Sequence, residues 1–451
     1  MSLLRERARA IWDAGIAAVD PLRLVGQQIQ ADADGLTICG ERWEPSSDSA
    51  RICVVGAGKA GRRMVSGVTA ALGPQWLDHT TGWVNIPEDG QPTNGNSPIR
   101  LHIARPAGVN EPTPAGVQGT QRILELVDQC GPKDMCLVLI SGGGSALLPA
   151  PAPAISLDDK VRLTRALSRA GATIQELNTV RRALSLVKGG GLLRACRAGR
   201  LIALIISDVI GSPLDVIASG PTVPAAIDPV AAWTIVEQYV TTAEIPAAVR
   251  DHLQTSARPP SLDATNELPP YRNVIIGSNA TAVRAAQEKA IELGFHVSGV
   301  EVDRAGIARE EGERLAEVGR KLRMTVPGRS CLISGGEPIV QVVATTAPQR
   351  GGRNQELALA AIAHWEADPP QGVVLLAGGT DGEDGPTDVA GAYADAEVVR
   401  AAQRLQLDPT EFLDRNNSYP FFEQTGGHLQ CGPTGTNVMD LRVLLSDPAC
   451  E

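Results

Sequence analysis

The run Ile52-Cys53-Val54-Val55-Gly56-Ala57-Gly58-Lys59-Ala60-Gly61 decides the architecture. Its first four residues are apolar without alternation, the pattern of a strand buried on both faces, and glycines then punctuate the turn into a helical stretch, Lys59–Leu72. A strand that ends in glycines and turns into a helix offers backbone N–H groups and the positive end of the helix dipole to an anion. Lys59 adds a mobile charge inside that loop. Three more glycine-rich turns follow buried-strand patterns: Ser141-Gly142-Gly143-Gly144-Ser145, Ser334-Gly335-Gly336-Glu337 and Gly378-Gly379-Thr380-Asp381-Gly382-Glu383-Asp384-Gly385. The last also carries carboxylates, which suit a divalent metal.

Outward from this unit the strand–helix alternation continues. Strands are expected at 36–43, 82–86, 136–140, 201–207, 273–276, 297–301 and 373–377. Helices are expected at 3–18, 115–127, 158–168, 174–184, 280–293, 307–322, 355–363 and 395–404, with Ser156 and Asp159 forming a capping box. Leu332–Ser334 and Ile339–Val343 flank Gly335-Gly336-Glu337-Pro338 as a hairpin signal. The pattern predicts an α/β protein of two domains, each a layered α/β/α arrangement around a mostly parallel sheet. At 451 residues the chain is too long for one ordinary core, and the weakly hydrophobic linker Gln254–Pro270 places the division at 1–262 and 263–451.

Hydrophobic residues at 43% and charged ones at 20% are ordinary globular values, while aromatics at 3% beside 47 glycines call for an aliphatic core. A net charge of −10 argues against nucleic acid or an anionic membrane as partner. The eight cysteines show no CxxC pair and read as reduced thiols. The first residues lack an apolar signal region, and no stretch approaches the roughly 18 apolar residues of a membrane span, so a cytoplasmic protein is expected, with a homodimer as the default assembly.

Gly56-Ala57-Gly58-Lys59-Ala60-Gly61 also matches G-x-G-x-x-G, but the following strand leads through Asn85 and Pro87 before any carboxylate, so the ribose-binding acid of a dinucleotide site is missing. A turn needed only for strand–helix packing is the other reading. Ser141–Ser145 is a natural anion nest. It is no nucleophile elbow, because Leu147 stands where G-x-S-x-G needs glycine. No G-x-x-x-x-G-K-[ST] occurs. Asn178-Thr179-Val180-Arg181-Arg182, running on to Lys188-Gly189-Gly190-Gly191, gathers cations and flexible backbone, or else is a solvated basic helix. Asp208 closes a strand at the end where open α/β sheets place ligands, or caps the next turn. Arg353 opens a helix against its dipole, which suggests an anionic ligand for its planar fork. Asp381, Glu383, Asp384 and Asp388 crowd one loop, either as a polar turn or as Mg²⁺ ligands completed by water and phosphate.

Read in order, Val54–Gly61, Ser141–Leu148, Asn178–Gly190, Ile206–Thr222, Ile276–Asn279, Gly351–Leu357, Gly379–Ala392 and Thr434–Leu441 resemble the motifs of the class II glycerate kinases, whose C-terminal half carries the MOFRL domain. The resemblance spans nearly the whole chain. It implies ATP-dependent phosphorylation of D-glycerate at the 2-hydroxyl, giving 2-phosphoglycerate, with Mg²⁺ and an active site in the cleft between a Rossmann-like N-terminal domain and a C-terminal domain holding the MOFRL region at about 330–445. Lys59 and Arg353 match the family's active-site lysine and arginine, one for the transferring phosphoryl group and the other for the substrate carboxylate. Asp208 is the candidate to orient or deprotonate the attacking hydroxyl, or to hold metal. Gly58, Ser141, Gly142, Gly143, Gly144, Ser145, Asn178, Arg181 and Lys188 are the substrate and phosphate candidates. Gly335, Glu337, Asn354, Glu356, Thr380 and Asp381 are the nucleotide candidates, with Asp381 and Asp384 as metal ligands.

Two segments depart from the family. Members often carry His-Pro-x-Pro-Asp where this chain reads Asn110-Glu111-Pro112-Thr113-Pro114-Ala115, and Arg-Lys-His-Leu-Ser where it reads Arg181-Arg182-Ala183-Leu184-Ser185. Both bear on which hydroxy acid fits. The competing functions are a kinase for a related small hydroxy acid and an NAD(P)H-dependent reductase of hydroxypyruvate or tartronate semialdehyde, for which hydride-transfer parts are lacking.

Overall fold

Apolar runs without alternation fold into strands that water does not reach. In the computed structural model, which describes residues 2–47, 49–93, 95, 97–256 and 268–449, the chain divides into two units. The larger comprises residues 21–207 and 212–276. Its central sheet contains β1 (Ile52–Ala57), β2 (Thr80–Pro87), β3 (Ile99–Arg105), β4 (Met135–Ile140), β5 (Arg200–Ile206) and β6 (Tyr271–Gly277), in the order β3-β2-β1-β4-β5-β6. The pairs β3/β2, β2/β1, β1/β4 and β4/β5 are parallel, as expected. Every residue of β1 and β4 is buried, which is why their sequences lack alternation. This is the doubly wound order, and it reverses between β1 and β4.

Helices Gly61–Leu77 and Pro114–Asp128 lie in the β1–β2 and β3–β4 connections. The β4–β5 connection is longer and helical, with Leu157–Arg169 and Ile174–Ala183 each opened by a capping box, Ser156 with Asp159 and Thr173 with Glu176. These two helices share an apolar cluster with Pro229–Tyr239 and Ala247–Ser256, built on Leu163, Leu167, Val180, Val236 and Val249. The expected strand at 36–43 is a turn between Leu36–Ile38 and Glu41–Trp43, which with Ile29–Ala31 make a small antiparallel sheet.

The smaller unit takes residues 1–20, 208–211 and 277–451. Its sheet contains β7 (His296–Arg304), β8 (Ser330–Gly336), β9 (Val373–Gly379), β10 (Gly391–Asp395), β11 (His428–Leu429) and β12 (Asp440–Ser446), in the order β7-β8-β12-β9-β10-β11. Here the expectation of a mostly parallel sheet needs correction: β7/β8 is parallel, while β8/β12, β12/β9, β9/β10 and β10/β11 are antiparallel. The expected hairpin after Gly335-Gly336 is also absent. β8 pairs with β7 and β12, and Ile339 bridges in parallel to Ile307.

Alternate residues of β9 and β12 supply the two faces. Val374, Leu376, Leu441, Val443 and Leu445 pack with Leu4, Ala8, Ile11 and Trp12 of the opening helix Leu3–Ala18 and with Val283 and Ala286 of Asn279–Glu292. Val373, Leu375 and Leu444 face Leu315, Leu359 and Trp365 of Ala308–Thr325 and Arg353–Trp365. The layering is α/β/α, and the opening helix belongs to this unit because its apolar stripe covers this sheet. The expected boundary at 262/263 lies outside the described residues, and the observed units part at 276/277.

Replacing the buried Trp12 by alanine therefore removes packing from the smaller unit although the residue lies at the chain's start. A loss of about 3–5 kcal/mol in urea denaturation is expected. Protection of β12 amides against hydrogen exchange should fall while that of β1 and β4 is retained.

Candidate active site

Where the strand order reverses, the loops leaving β1 and β4 are joined by hydrogen bonds. Ala60 N–H donates to Ser141 Oγ (3.0 Å), Lys59 N–H to the Gly142 carbonyl (2.8 Å) and Ser141 N–H to the Ala57 carbonyl (3.2 Å). Gly58, at φ +154°, has to be glycine, since a Cβ there would stand 1.9 Å from Ser141 Oγ. Gly143, at φ +77°, lies where an added Cβ would be 3.2 Å from Arg105 Nη2 and 3.6 Å from Lys59 Cγ. The exposed Lys59, the nest and Arg105 therefore converge at the carboxyl ends of β1, β3 and β4.

Beside this junction a cavity of about 490 Å³ opens, lined by Gly143, Ser145, Pro149 and a group of cations: Arg105, Lys160, Arg165, Arg181 and Lys188. Lys188 is 4% exposed and donates to Ser219 Oγ (2.9 Å) and the Ser145 carbonyl (3.4 Å). Burial pushes its ammonium well below the ordinary range, and Lys160, Arg181 and Arg182 push it further. Lys160 is 6% exposed, and its Nζ has no hydrogen-bond partner. Burial, with Arg181 adding to it, brings its ammonium down to about 8. The buried Arg105 donates to the Val109 carbonyl and to Asn110 Oδ1 (2.9 Å), leaving Nε unpartnered. The lining carboxylate, Glu111, is tied to Arg165 on the exposed side.

In the smaller unit Arg353 stands at the first turn of its helix and grips Asp440 with both arms, Nε to Oδ2 at 2.7 Å and Nη2 to Oδ1 at 2.9 Å. Its Nη1 lies 3.1 Å from Glu337. Burial works against the guanidinium's charge, but Asp440, then Glu337 and Asp384, hold it above its ordinary value. The anion that the sequence demands for Arg353 is thus in part the protein's own. Burial raises the Glu337 carboxyl; Arg353 opposes this, while Asp440, Asp208 and Asp381 add to it. Three acids, Asp440, Asp208 and Asp381, thus act on Glu337 beside Arg353.

Several expected roles change on this geometry. Asp384 is no open metal ligand: its Oδ1 accepts from Asn354 N–H (2.9 Å) and its Oδ2 from Gln355 N–H (2.8 Å), so it caps the helix that begins with Arg353. Asn354 Nδ2 turns to the same carboxylate (3.2 Å). Glu356 is buried between Arg309 Nε (2.8 Å) and Asn416 Nδ2 (2.9 Å), and Thr380 Oγ1 bonds the Met439 carbonyl (2.6 Å). Gly335 packs so tightly that a Cβ would meet Asn279 Oδ1 at 2.1 Å. These nucleotide candidates hold the scaffold, which leaves Glu337, in contact with Arg353, and Asp381, which acts on Glu337. Among described residues no three His, Cys, Asp or Glu side chains converge as a metal site.

In the larger unit Gly143, Ser145, Arg181 and Lys188 line the cavity, whereas Gly58, Ser141, Gly142 and Gly144 hold the loops, Gly144 against Ala218. Asn178 is buried one turn before Arg181 and is not in the lining. Sequence reasoning missed Arg105 and Lys160. The one signal available for Lys160 was a lysine in the first turn of a helix, against the dipole.

Comparison with known proteins bears on the family and the fold. Residues 7–254 match the family model described as a domain of unknown function (DUF4147), and residues 330–440 match the MOFRL family. A Danio rerio protein named glycerate kinase is 38% identical over 505 residues, covering 100% of this chain and 99% of its own. A Thermotoga maritima protein named D-glycerate 2-kinase is 35% identical over 401 residues, covering 88% of this chain and 91% of its own. The crystal structure of a Thermotoga maritima glycerate kinase superposes with a TM-score of 0.82 at 33% identity, covering 98% of this chain and 99% of that one.

The Arg353–Asp440 pair makes a separable prediction. Arg353→Ala should lower stability by about 3 kcal/mol, because Asp440 is left buried without its partner, the figure lying at the low end because Arg353 is partly exposed. Arg353→Met combined with Asp440→Leu should recover most of that stability in urea denaturation while leaving any activity that depends on the guanidinium lost.

Proposed function

The chain belongs to the glycerate kinase family, and from that premise we propose that it transfers the γ-phosphoryl group of ATP to the 2-hydroxyl of D-glycerate, giving 2-phosphoglycerate. The observation that carries the reading is the junction of the Lys59 loop and the Ser141–Ser145 turn at the reversal of strand order, opening on a cation-lined cavity. Phosphoryl transfer is mainly positioning and charge neutralisation, which is what lysines, arginines and exposed N–H groups supply. Lys59, on the loop beside Gly143, neutralises the phosphoryl group in transit. Arg353, pinned by Asp440 and Glu337, presents a fixed positive charge to the nucleotide phosphates.

Mg²⁺ is part of the proposal as a partner of the nucleotide. Carboxylate oxygens suit this hard cation, and it commonly keeps its waters and takes one or two protein carboxylates. With Asp384 spent on the helix, Asp440 on Arg353 and no three acids converging among the described residues, one or two of Glu337, Asp208 and Asp381 would hold it. When bound it neutralises phosphate charge. A cytoplasmic setting is supported by the free state of the described cysteines, and a homodimer is the commonest closed assembly for such an enzyme. No described helix is long and apolar enough to cross a membrane.

The test is ADP release from ATP and Mg²⁺ with a panel of small hydroxy acids, including D- and L-glycerate, and phosphorus NMR of the product. D-glycerate should give 2-phosphoglycerate, and Lys59→Ala should lower kcat by about 100-fold or more. ADP formed only with another acid would refute glycerate as the acceptor. No ADP with any acid, together with NAD(P)H oxidation by hydroxypyruvate, would overturn the kinase.

A further inference from the structure

Lys160 occupies a position that the protein alone disfavours in three ways. Its ammonium is buried without a hydrogen-bond partner, it sits in the first turn of the helix Leu157–Arg169, where the dipole repels a cation, and its charged neighbour is Arg181, of like sign. Lys188 and Arg105 share the burial and the lowering by desolvation, though each has hydrogen-bond acceptors, none of them a carboxylate. Such an array costs folding free energy that only an anionic ligand offsets.

The lining also says which anion. It contains no aromatic ring to stack on a nucleobase, and its apolar part is Pro112, Ala146, Pro149 and Val161. One end, Gly143 to Ser145, adjoins Lys59; from there Ser145 leads to Lys188, and Lys188 to Lys160 and Arg181. A short molecule with a hydroxyl toward the first end and an oxyanion toward the second fits this sequence of groups. The departing family segment lies here as well: Asn110 steadies Arg105, and Glu111 holds Arg165 at the rim.

We propose that Lys160 and Arg181 bind the carboxylate of the acceptor, flanked by Lys188 and Arg105, and that this group, rather than Lys59 or Arg353, sets the demand for a hydroxy acid. The inference rests on the kinase reading above and assigns its substrate subsite.

Steady-state kinetics of the full chain test it with Lys160→Met and Lys160→Arg beside the wild type. Lys160→Met should raise KM for D-glycerate at least about tenfold, with KM for ATP changed less than about twofold, and Lys160→Arg should restore most of the loss. The groups facing Lys160 are Arg181 and Lys188, with Arg105 and the Glu111–Arg165 pair in the same lining. Since binding needs the protonated amine, 1/KM for glycerate in the wild type should fall as pH rises through about 8, and Lys160→Arg should remove that fall. Without ligand, Lys160→Met should melt no lower than the wild type, which shows that the variant folds. A wild type inactive with every acid refutes the kinase reading itself. An active wild type whose Lys160→Met variant keeps its glycerate KM, or raises the KM for ATP instead, overturns the carboxylate assignment and leaves the kinase standing.

Discussion

Two loops held within hydrogen-bond reach of each other constrain the rest of this molecule. Ala60 N–H on Ser141 Oγ and Lys59 N–H on the Gly142 carbonyl bind the end of β1 to the end of β4. That contact requires adjacent parallel strands, hence crossover connections with helices on the sheet's faces, and it requires glycine at 58. It leaves Lys59 exposed at the point where a doubly wound sheet leaves a crevice. The long helical connection after β4 then delivers Ser145, Lys160, Arg181 and Lys188 to the same cavity.

The two units handle positive charge in opposite ways. Arg353 is neutralised by protein acids, Asp440 in a bidentate pair and Glu337 beside it, so its position is fixed before any ligand arrives. Four cations of the larger unit's cavity lack such partners: burial lowers Lys160, Lys188, Arg105 and Arg181, and no carboxylate is among the causes acting on them. A protein under selection for stability alone would place apolar residues there. Local violations of this kind mark sites where function outweighs folding.

Much of the fold was readable because burial dictates residue type strand by strand. β1, β4 and β9 are wholly buried and aliphatic, and the capping box at Ser156 and Asp159 marks its helix. Strands that break the apolar rule were missed. β3 alternates irregularly at the sheet edge with Arg100 and His102, and β12 carries Arg442 through the core, where Glu311 and Ser334 receive it. The pairing of β8 with β12 joins residues remote in the chain, which no local pattern encodes. The site was partly visible for the same reason. Glycines with special conformations and motif residues such as Lys59, Arg353 and Lys188 stand out in order. Arg105 and Lys160 are ordinary surface types in the sequence, and their meaning appears only once folding buries them. Asp384 misled in the opposite direction, since an acid in a glycine loop suits a metal and a helix N-terminus equally well.

The most direct measurement is a crystal structure of the full chain with 2-phosphoglycerate bound. The carboxylate should lie within hydrogen-bond distance of Lys160 Nζ and the Arg181 guanidinium, with the phosphate at the Gly143–Ser145 end toward Lys59. A ligand bound elsewhere, with the Lys160 cavity holding only water, would contradict this assignment.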